Sequence, residues 1–256
     1  MKLLVKLGGT LLESEERRAS LAGQLKRLLD DGHRAVVVHG GGKRLSRYLA
    51  GLDHKSEFRR GLRVTPPEIL DAVLRVLAGS VNRQLVAELQ RAGLSAVGLT
   101  GIDAGTVRAT QLDPELGLVG KVQRVDPALL DRLADHGYLP TVACIAGGDG
   151  GAIYNVNADQ MASACAAALG VDRLVFLTDV GGVLDGRGEL VPELGVGDAL
   201  DLIESKVAVG GMEAKLRAAV EAIRGGIGAV SIVNGHESGI LHRTICGGRA
   251  GTRLRA

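Results

Sequence analysis

The chain has 256 residues, 46% hydrophobic and 23% charged, with a net charge of +2. That profile suits an ordinary globular protein with length for one or two real cores, and it leaves no basic footprint for DNA or RNA. Aromatic residues make up 2% and tryptophan is absent, which argues against base-stacking platforms and leaves the core to Leu, Val, Ile and Ala.

Cys144, Cys165 and Cys246 are widely spaced, with no CxxC or Cys/His cluster. Neither a disulfide framework nor a zinc site is expected; reduced thiols in a cytoplasmic protein are. The opening residues read as a strand rather than a secretory leader, and no apolar run reaches the roughly 18 residues of a membrane span.

In chain order, "KLLVKLG" reads as a strand. Residues 14 to 31 follow as an amphipathic helix with Leu21, Leu25, Leu28 and Leu29 on one stripe and Gly32 as its stop. "RAVVVHG" has the β-branched, wholly apolar character of a strand buried on both faces of a parallel sheet, and "GGKRLSRYLAG" restarts a helix. This is a βαβ unit. In "TPPE", Thr65 fits an N-cap, Pro66 the first helical position and Glu68 the partner in a capping box. "TVRATQL" and "LVGKVQRV" flank "DPELG", predicting a β-hairpin near residues 106 to 124. Asp126-Pro127 starts a helix that ends at Gly137. "LPTVACIA" is the next buried strand, then come the small-residue helix "ADQMASACAAALG" and the strand "RLVFLTDV". The helix "MEAKLRAAVEAIR" and the strand "AVSIVNG" occupy the last third. A mostly parallel sheet between helices is predicted, with a soft boundary near Gly170.

Three glycine-rich stretches fall at strand ends: Gly8-Gly9-Thr10, His39-Gly40-Gly41-Gly42 and Asp179-Val180-Gly181-Gly182. Ligands of open α/β sheets gather beyond the carboxyl ends of strands, and glycine N–H groups there can form an anion nest. Any one stretch alone reads first as a tight turn; three at one sheet edge point to a ligand. Familiar motifs fail. A Walker A loop would need glycine at Val37 and Ser or Thr at Arg44. The first strand lacks a G-x-G-x-x-G fingerprint, and the HGGG run has no G-x-S-x-G elbow to accompany it.

Lys6 interrupts an apolar strand, either as an edge or snorkelling residue or facing an anion at the strand end. Lys215 lies at the border of the apolar stripe formed by Met212, Leu216, Ala219 and Ile223. It also sits one turn into its helix, where a cation is disfavoured unless an anion is near. In "YNVNADQ", at least one of Asn155, Asn157 and Asp159 caps a helix, and Asp159 could instead hold the lysines. Arg63, in "GLRVTP", suits carboxylate recognition or a plain surface position.

Taken together, "VKLGGTLL", "VVHGGGKRL", "GLRVTP", "YNVNADQ", "FLTDVGGVLDGRG" and "GGMEAKL" resemble the amino acid kinase family, nearly end to end. "GLRVT" with "NVNAD" points to its acetylglutamate branch. The resemblance implies a three-layer αβα sandwich around a mostly parallel central sheet, with a β-hairpin lid. Residues 1–170 would form the lobe for the acetylated amino acid and the dimer interface, and residues 171–256 the ATP lobe. The implied reaction moves the γ-phosphoryl group of ATP, carried with Mg²⁺, to the side-chain carboxylate of N-acetyl-L-glutamate, in arginine biosynthesis. By the same resemblance, Lys6 and Lys215 neutralise the transferring group, Asp159 orients them, and Gly8 and Gly9 donate N–H groups to it. Gly41, Gly42, Arg63 and Asn155 would hold the acidic substrate. Asp179, Val180, Gly181, Gly182, Val183 and Leu184, with Val209, Gly210, Gly211 and Met212, would border the nucleotide. No protein side chain is expected to bind metal.

Two positions depart from the family pattern: Gly182 where proline is frequent, and Lys121 where an acidic residue is frequent. The catalytic strand begins at Lys2, leaving no place for the N-terminal helix of arginine-inhibited hexamers, so an arginine-insensitive homodimer is expected. Competing readings are a sister kinase for carrier-linked aminoadipate or glutamate, a silent amino-acid or nucleotide regulator on the same fold, and, less well matched, a Rossmann oxidoreductase.

Overall fold

The computed structural model describes residues 1–256. β1 (Lys2–Leu7) passes through a 3₁₀ turn, Gly9–Leu12, into α1 (Glu15–Asp30). Ser14 caps α1, its Oγ accepting from Arg17 N at 3.2 Å, and Glu15 and Glu16 sit at the positive end of the helix. β2 (Arg34–His39) and α2 (Gly42–Ala50) complete the βαβ start. A short hairpin follows, β3 (Phe58–Arg59) with β4 (Leu62–Arg63). A π-helical stretch, Leu74–Val81, joins α3 (Pro67–Val73) to α4 (Asn82–Arg91).

The capping box expected at Thr65 is absent. Pro66 is the N-cap of α3, with no side-chain cap, and the Thr65 hydroxyl donates to Arg63 O instead. Pro67 lacks an N–H in that first turn, so a threonine cap would have one donor fewer to receive.

Next come β5 (Ala96–Thr100), β6 (Val107–Gln111), β7 (Val119–Val125), α5 (Ala128–Asp135), β8 (Leu139–Ala143), β9 (Ile145–Gly147) and β10 (Ile153–Val156). The remaining elements are α6 (Ala158–Leu169), β11 (Arg173–Thr178), β12 (Glu193–Leu194), α7 (Val196–Glu204), α8 (Gly210–Arg224), β13 (Ala229–Asn234), α9 (Ile240–Ile245) and β14 (Thr252–Leu254).

The main sheet runs β12-β14-β13-β11-β1-β2-β8-β5, parallel throughout except where β13 meets β14. β1 lies between β2 and β11, with Lys6 opposite both Val38 and Phe176. The chain winds outward in opposite directions from β1, and this switch point opens a crevice at the carboxyl edge. Helices cover both faces, α1 packing with α4 and α9, and α6 packing with α8 and against β1. Phe176 is the only fully buried aromatic residue, and Leu, Val, Ile and Ala dominate the rest of the core, as the composition requires.

The hairpin near 106 to 124 forms as β6 and β7, but it is half of a closed four-stranded unit that β9 and β10 complete. The stretch "LPTVACIA" is accordingly two strands, broken at Cys144. β8 stays in the main sheet while β9 turns into the small unit. An unbroken apolar run carries no mark of such a change of sheet.

Candidate active site

Lys6 does not snorkel. It is almost wholly buried, and its Nζ lies 2.6 Å from Asp159 Oδ1. The contact is a close ion pair whose angles fall outside those of an aligned hydrogen bond. Asp159 sits in the first turn of α6 because Asn157 caps that helix, its Oδ1 accepting from Asp159 N at 2.9 Å and Gln160 N at 3.2 Å. Lys215, from α8, reaches the other carboxylate oxygen at 3.5 Å and donates to Gly211 O at 3.4 Å. The anion that makes a lysine tolerable near the start of α8 is therefore Asp159. Burial alone would push the Asp159 carboxyl up; the ammonium of Lys6, then that of Lys215, outweighs it and holds the group below the usual carboxylate range.

The glycine loops after β1 and β2 pack directly on each other. A Cβ on Gly9 would lie 3.3 Å from Gly42 N, and one on Gly41 would lie 2.6 Å from Leu77 Cδ2 in the π-helical stretch. Only glycine permits this approach. The expected role of Gly8 as an N–H donor to the transferring group needs correction, because its N–H is donated to Leu177 O at 2.9 Å. Gly9 and Gly42 each start a helical turn, where the first N–H groups have no partner within the turn.

Lys6, Gly9, Gly41, Gly42, Arg63, Asn155 and Asp159 line one cavity of about 220 Å³. It is small for a whole nucleotide and suits a compact acidic molecule. Arg63 enters from β4 with its guanidinium over the Phe58 ring at 4.6 Å. It donates to Ser56 Oγ, to Ser46 Oγ at 2.7 Å and to Gly42 O at 3.1 Å. Asn155 enters from β10, its Nδ2 donating to Thr65 Oγ1 at 3.0 Å.

Several participants lie outside the motifs read from the sequence. Phe58, Ser46 and Ser56 shape the arginine, and Cys144 lines the cavity as a neutral thiol, its pKa pushed up to about 11 by burial. Ser46 lies one turn beyond Gly42 on α2, and that i, i+4 spacing could have revealed it. Lys43, which follows Gly42 in α2, contributes to the field at Asp179. Partial burial opposes ionisation of Asp179; its own backbone N–H, the Thr178 hydroxyl, Lys43 and Lys215 outweigh it and keep the carboxyl below its ordinary range.

The segment from Asp179 to Leu184 follows β11, and Val209, Gly210, Gly211 and Met212 open α8, beside Lys215. Val180, Leu184 and Val209 are exposed apolar side chains, whereas Val183 is buried and donates its N–H to Thr252 Oγ1 at 2.8 Å. Gly182 has φ of 152°, and a Cβ there would sit 2.6 Å from Leu190 Cδ1 and 2.7 Å from Thr252 Oγ1. Proline, fixed near −65°, does not fit this backbone. Lys121 lies outside the cavity, on a neighbouring groove it shares with Gln160 and Glu221.

A parallel sheet with glycine loops at its carboxyl edge, and two lysines joined through a buried aspartate, is the apparatus of phosphoryl transfer: cations and backbone dipoles fixed around a developing negative charge. The class is that of a kinase. The chain belongs to the amino acid kinase family, whose model matches residues 1–234. An acetylglutamate kinase of Solibacter usitatus is 53% identical over 254 residues, covering 99% of each chain. An acetylglutamate kinase of Aeromonas salmonicida is 44% identical over 98% of this chain and 97% of that one. Among solved structures, N-acetylglutamate synthase of Neisseria gonorrhoeae, complexed with coenzyme A and N-acetyl-glutamate, superposes with a TM-score of 0.88 at 27% identity. The match covers 100% of this chain and 59% of that one.

Proposed function

We propose that this chain transfers the γ-phosphoryl group of ATP to the side-chain carboxylate of N-acetyl-L-glutamate, giving N-acetyl-L-glutamyl 5-phosphate in arginine biosynthesis. The observation that carries the reading is the Lys6–Asp159–Lys215 cluster at one cavity with Arg63. The relatives named acetylglutamate kinase support it.

The chemistry follows from charge. The nucleophile is a carboxylate, already an anion, so no strong base is required. The barrier lies in bringing two anions together, and fixed cations lower it. Lys6 and Lys215 face the transferring group, Asp159 holds their ammonium groups at the strand end, and Gly9 adds a backbone donor. Arg63 receives the α-carboxylate, and Asn155, Gly41 and Gly42 contact the rest of the acidic substrate. The exposed side chains of Val180, Leu184 and Val209 offer apolar surface to the base of the nucleotide. Mg²⁺, carried by ATP rather than by a protein side chain, would supply further neutralising charge.

In this reading, residues 1–170 serve the acidic substrate and the dimer interface, residues 171–256 serve ATP, and the working form is a cytoplasmic homodimer. No helix is long and apolar enough to cross a membrane. Trapping the acyl phosphate with hydroxylamine, across a panel of acidic substrates, tests the proposal. ATP-dependent hydroxamate with free N-acetylglutamate is expected. Hydroxamate only with a carrier-linked aminoadipate or glutamate would move the chain to the sister activity, and none with any acceptor would leave a binding protein.

A further inference from the structure

Thr65 lines no part of the cavity and is fully buried. Its one hydroxyl nevertheless joins the two residues whose side chains are assigned above to the acidic substrate, Arg63 and Asn155. Oγ1 donates to Arg63 O at 2.9 Å and accepts from Asn155 Nδ2 at 3.0 Å. Its backbone donates to Leu116 O at 2.9 Å and accepts from Leu118 N at 2.6 Å, in the connection between β6 and β7. Three segments that meet at the cavity are thus tied at one residue: the arginine strand, the lid hairpin and β10.

The direction of these bonds has a consequence for Asn155. A hydroxyl has a single hydrogen, and a carbonyl only accepts. With that hydrogen on Arg63 O, Oγ1 can only accept from Asn155. The amide must then turn its nitrogen to Thr65, which leaves its carbonyl oxygen and second N–H for the cavity. The amide orientation is set by this bonding logic, and the β-branched side chain of threonine restricts χ1 and keeps the hydroxyl in place.

We propose that Thr65 is a positioning residue for substrate recognition, fixing the amide orientation of Asn155 and the backbone of Arg63 through one hydroxyl. The proposal rests on the reading of the cavity as the acidic-substrate site. Thr65→Ser keeps the hydroxyl; Thr65→Val and the smaller Thr65→Ala remove it. Loss of one buried hydrogen bond is expected to raise KM for N-acetylglutamate about tenfold in the Val and Ala variants, with Ser close to wild type. KM for ATP and kcat should stay within about twofold, and in an Asn155→Ala background the Val substitution should raise KM for N-acetylglutamate by less than it does in wild type, the remainder acting through Arg63.

A second readout does not need turnover. Hydrogen exchange of the Asn155 side-chain amide, followed by NMR on folded protein, should be slow in wild type and Thr65→Ser and faster in Thr65→Val and Thr65→Ala. Equal exchange in all four overturns the proposal, as does a Ser variant as impaired as Val, or equal losses in kcat and in both KM values. Wild-type turnover in the same series reports separately on the proposed reaction.

Discussion

Lys6 Nζ lies 2.6 Å from Asp159 Oδ1, joining the central strand β1 to the first turn of α6. The pair explains how an ammonium survives in a strand buried from Leu3 to Leu7. Isolated, it would be costly there; beside a carboxylate it is compensated. Lys215 on the same carboxylate makes the cluster net positive, which favours an incoming phosphate.

Lys6→Ala should lower kcat by about 10²–10³-fold with a much smaller change in either KM, because its charge matters most as the phosphoryl group transfers. Steady-state kinetics with both substrates varied checks this. Turnover near that of wild type would remove Lys6 from the mechanism.

Asp159 ionises at lower pH in the fold than its ordinary 3.8. Its contribution to stability is therefore complete above that value and is lost as pH falls through the lower folded one. Between pH 5 and 8, where the group stays ionised, the unfolding midpoints of wild type and Asp159→Asn should run parallel. Below about pH 4 wild type should fall toward the variant. Urea titrations across that range decide it, and curves that stay parallel at pH 3 would contradict the ion pair.

His39 is fully buried at the end of β2. Its ring meets Gly40 O at 2.9 Å through Nδ1 and Asn82 Nδ2 at 2.9 Å through Nε2. Burial pulls its pKa from 6.5 to about 4 against the opposing effect of the Gly40 bond, with Arg83 adding to the lowering. Since the unfolded chain protonates first, stability is full above pH 6.5 and declines as pH falls toward 4. The loss is on the order of 3 kcal/mol. His39→Gln should be less stable at neutral pH but lack that slope. A wild-type midpoint that stayed flat from pH 7 to 4.5 would show the imidazole to be accessible to protons.

Arg63→Lys should raise KM for the acidic substrate about ten- to a hundredfold and leave KM for ATP unchanged. A lysine cannot span Ser46, Ser56 and Gly42 O while presenting a fork to a carboxylate. Isothermal titration with N-acetylglutamate provides the check, and unaltered affinity would place the carboxylate elsewhere.

Gly182→Ala should destabilise the fold by about 1–3 kcal/mol and raise KM for ATP, since the substitution meets both a positive φ and close contacts at Leu190 and Thr252. Thermal unfolding and ATP kinetics test both effects. A neutral outcome would mean that the loop relaxes freely.

The sequence by itself determined the parallel strands, the glycine loops at their carboxyl ends and the two lysines, because periodicity, helix stops and glycine placement are local signals. It left open where Lys6 points, since a strand buried on both faces has no polar side to orient it. Only the tertiary structure brought Lys6, Asp159 and Lys215 to one point and split the strand at Cys144. It also turned Thr65 from a helix cap into the tie between Arg63 and Asn155. Those contacts join residues far apart in the chain, and what fixes them is the packing of whole elements around β1, which no short stretch of sequence records.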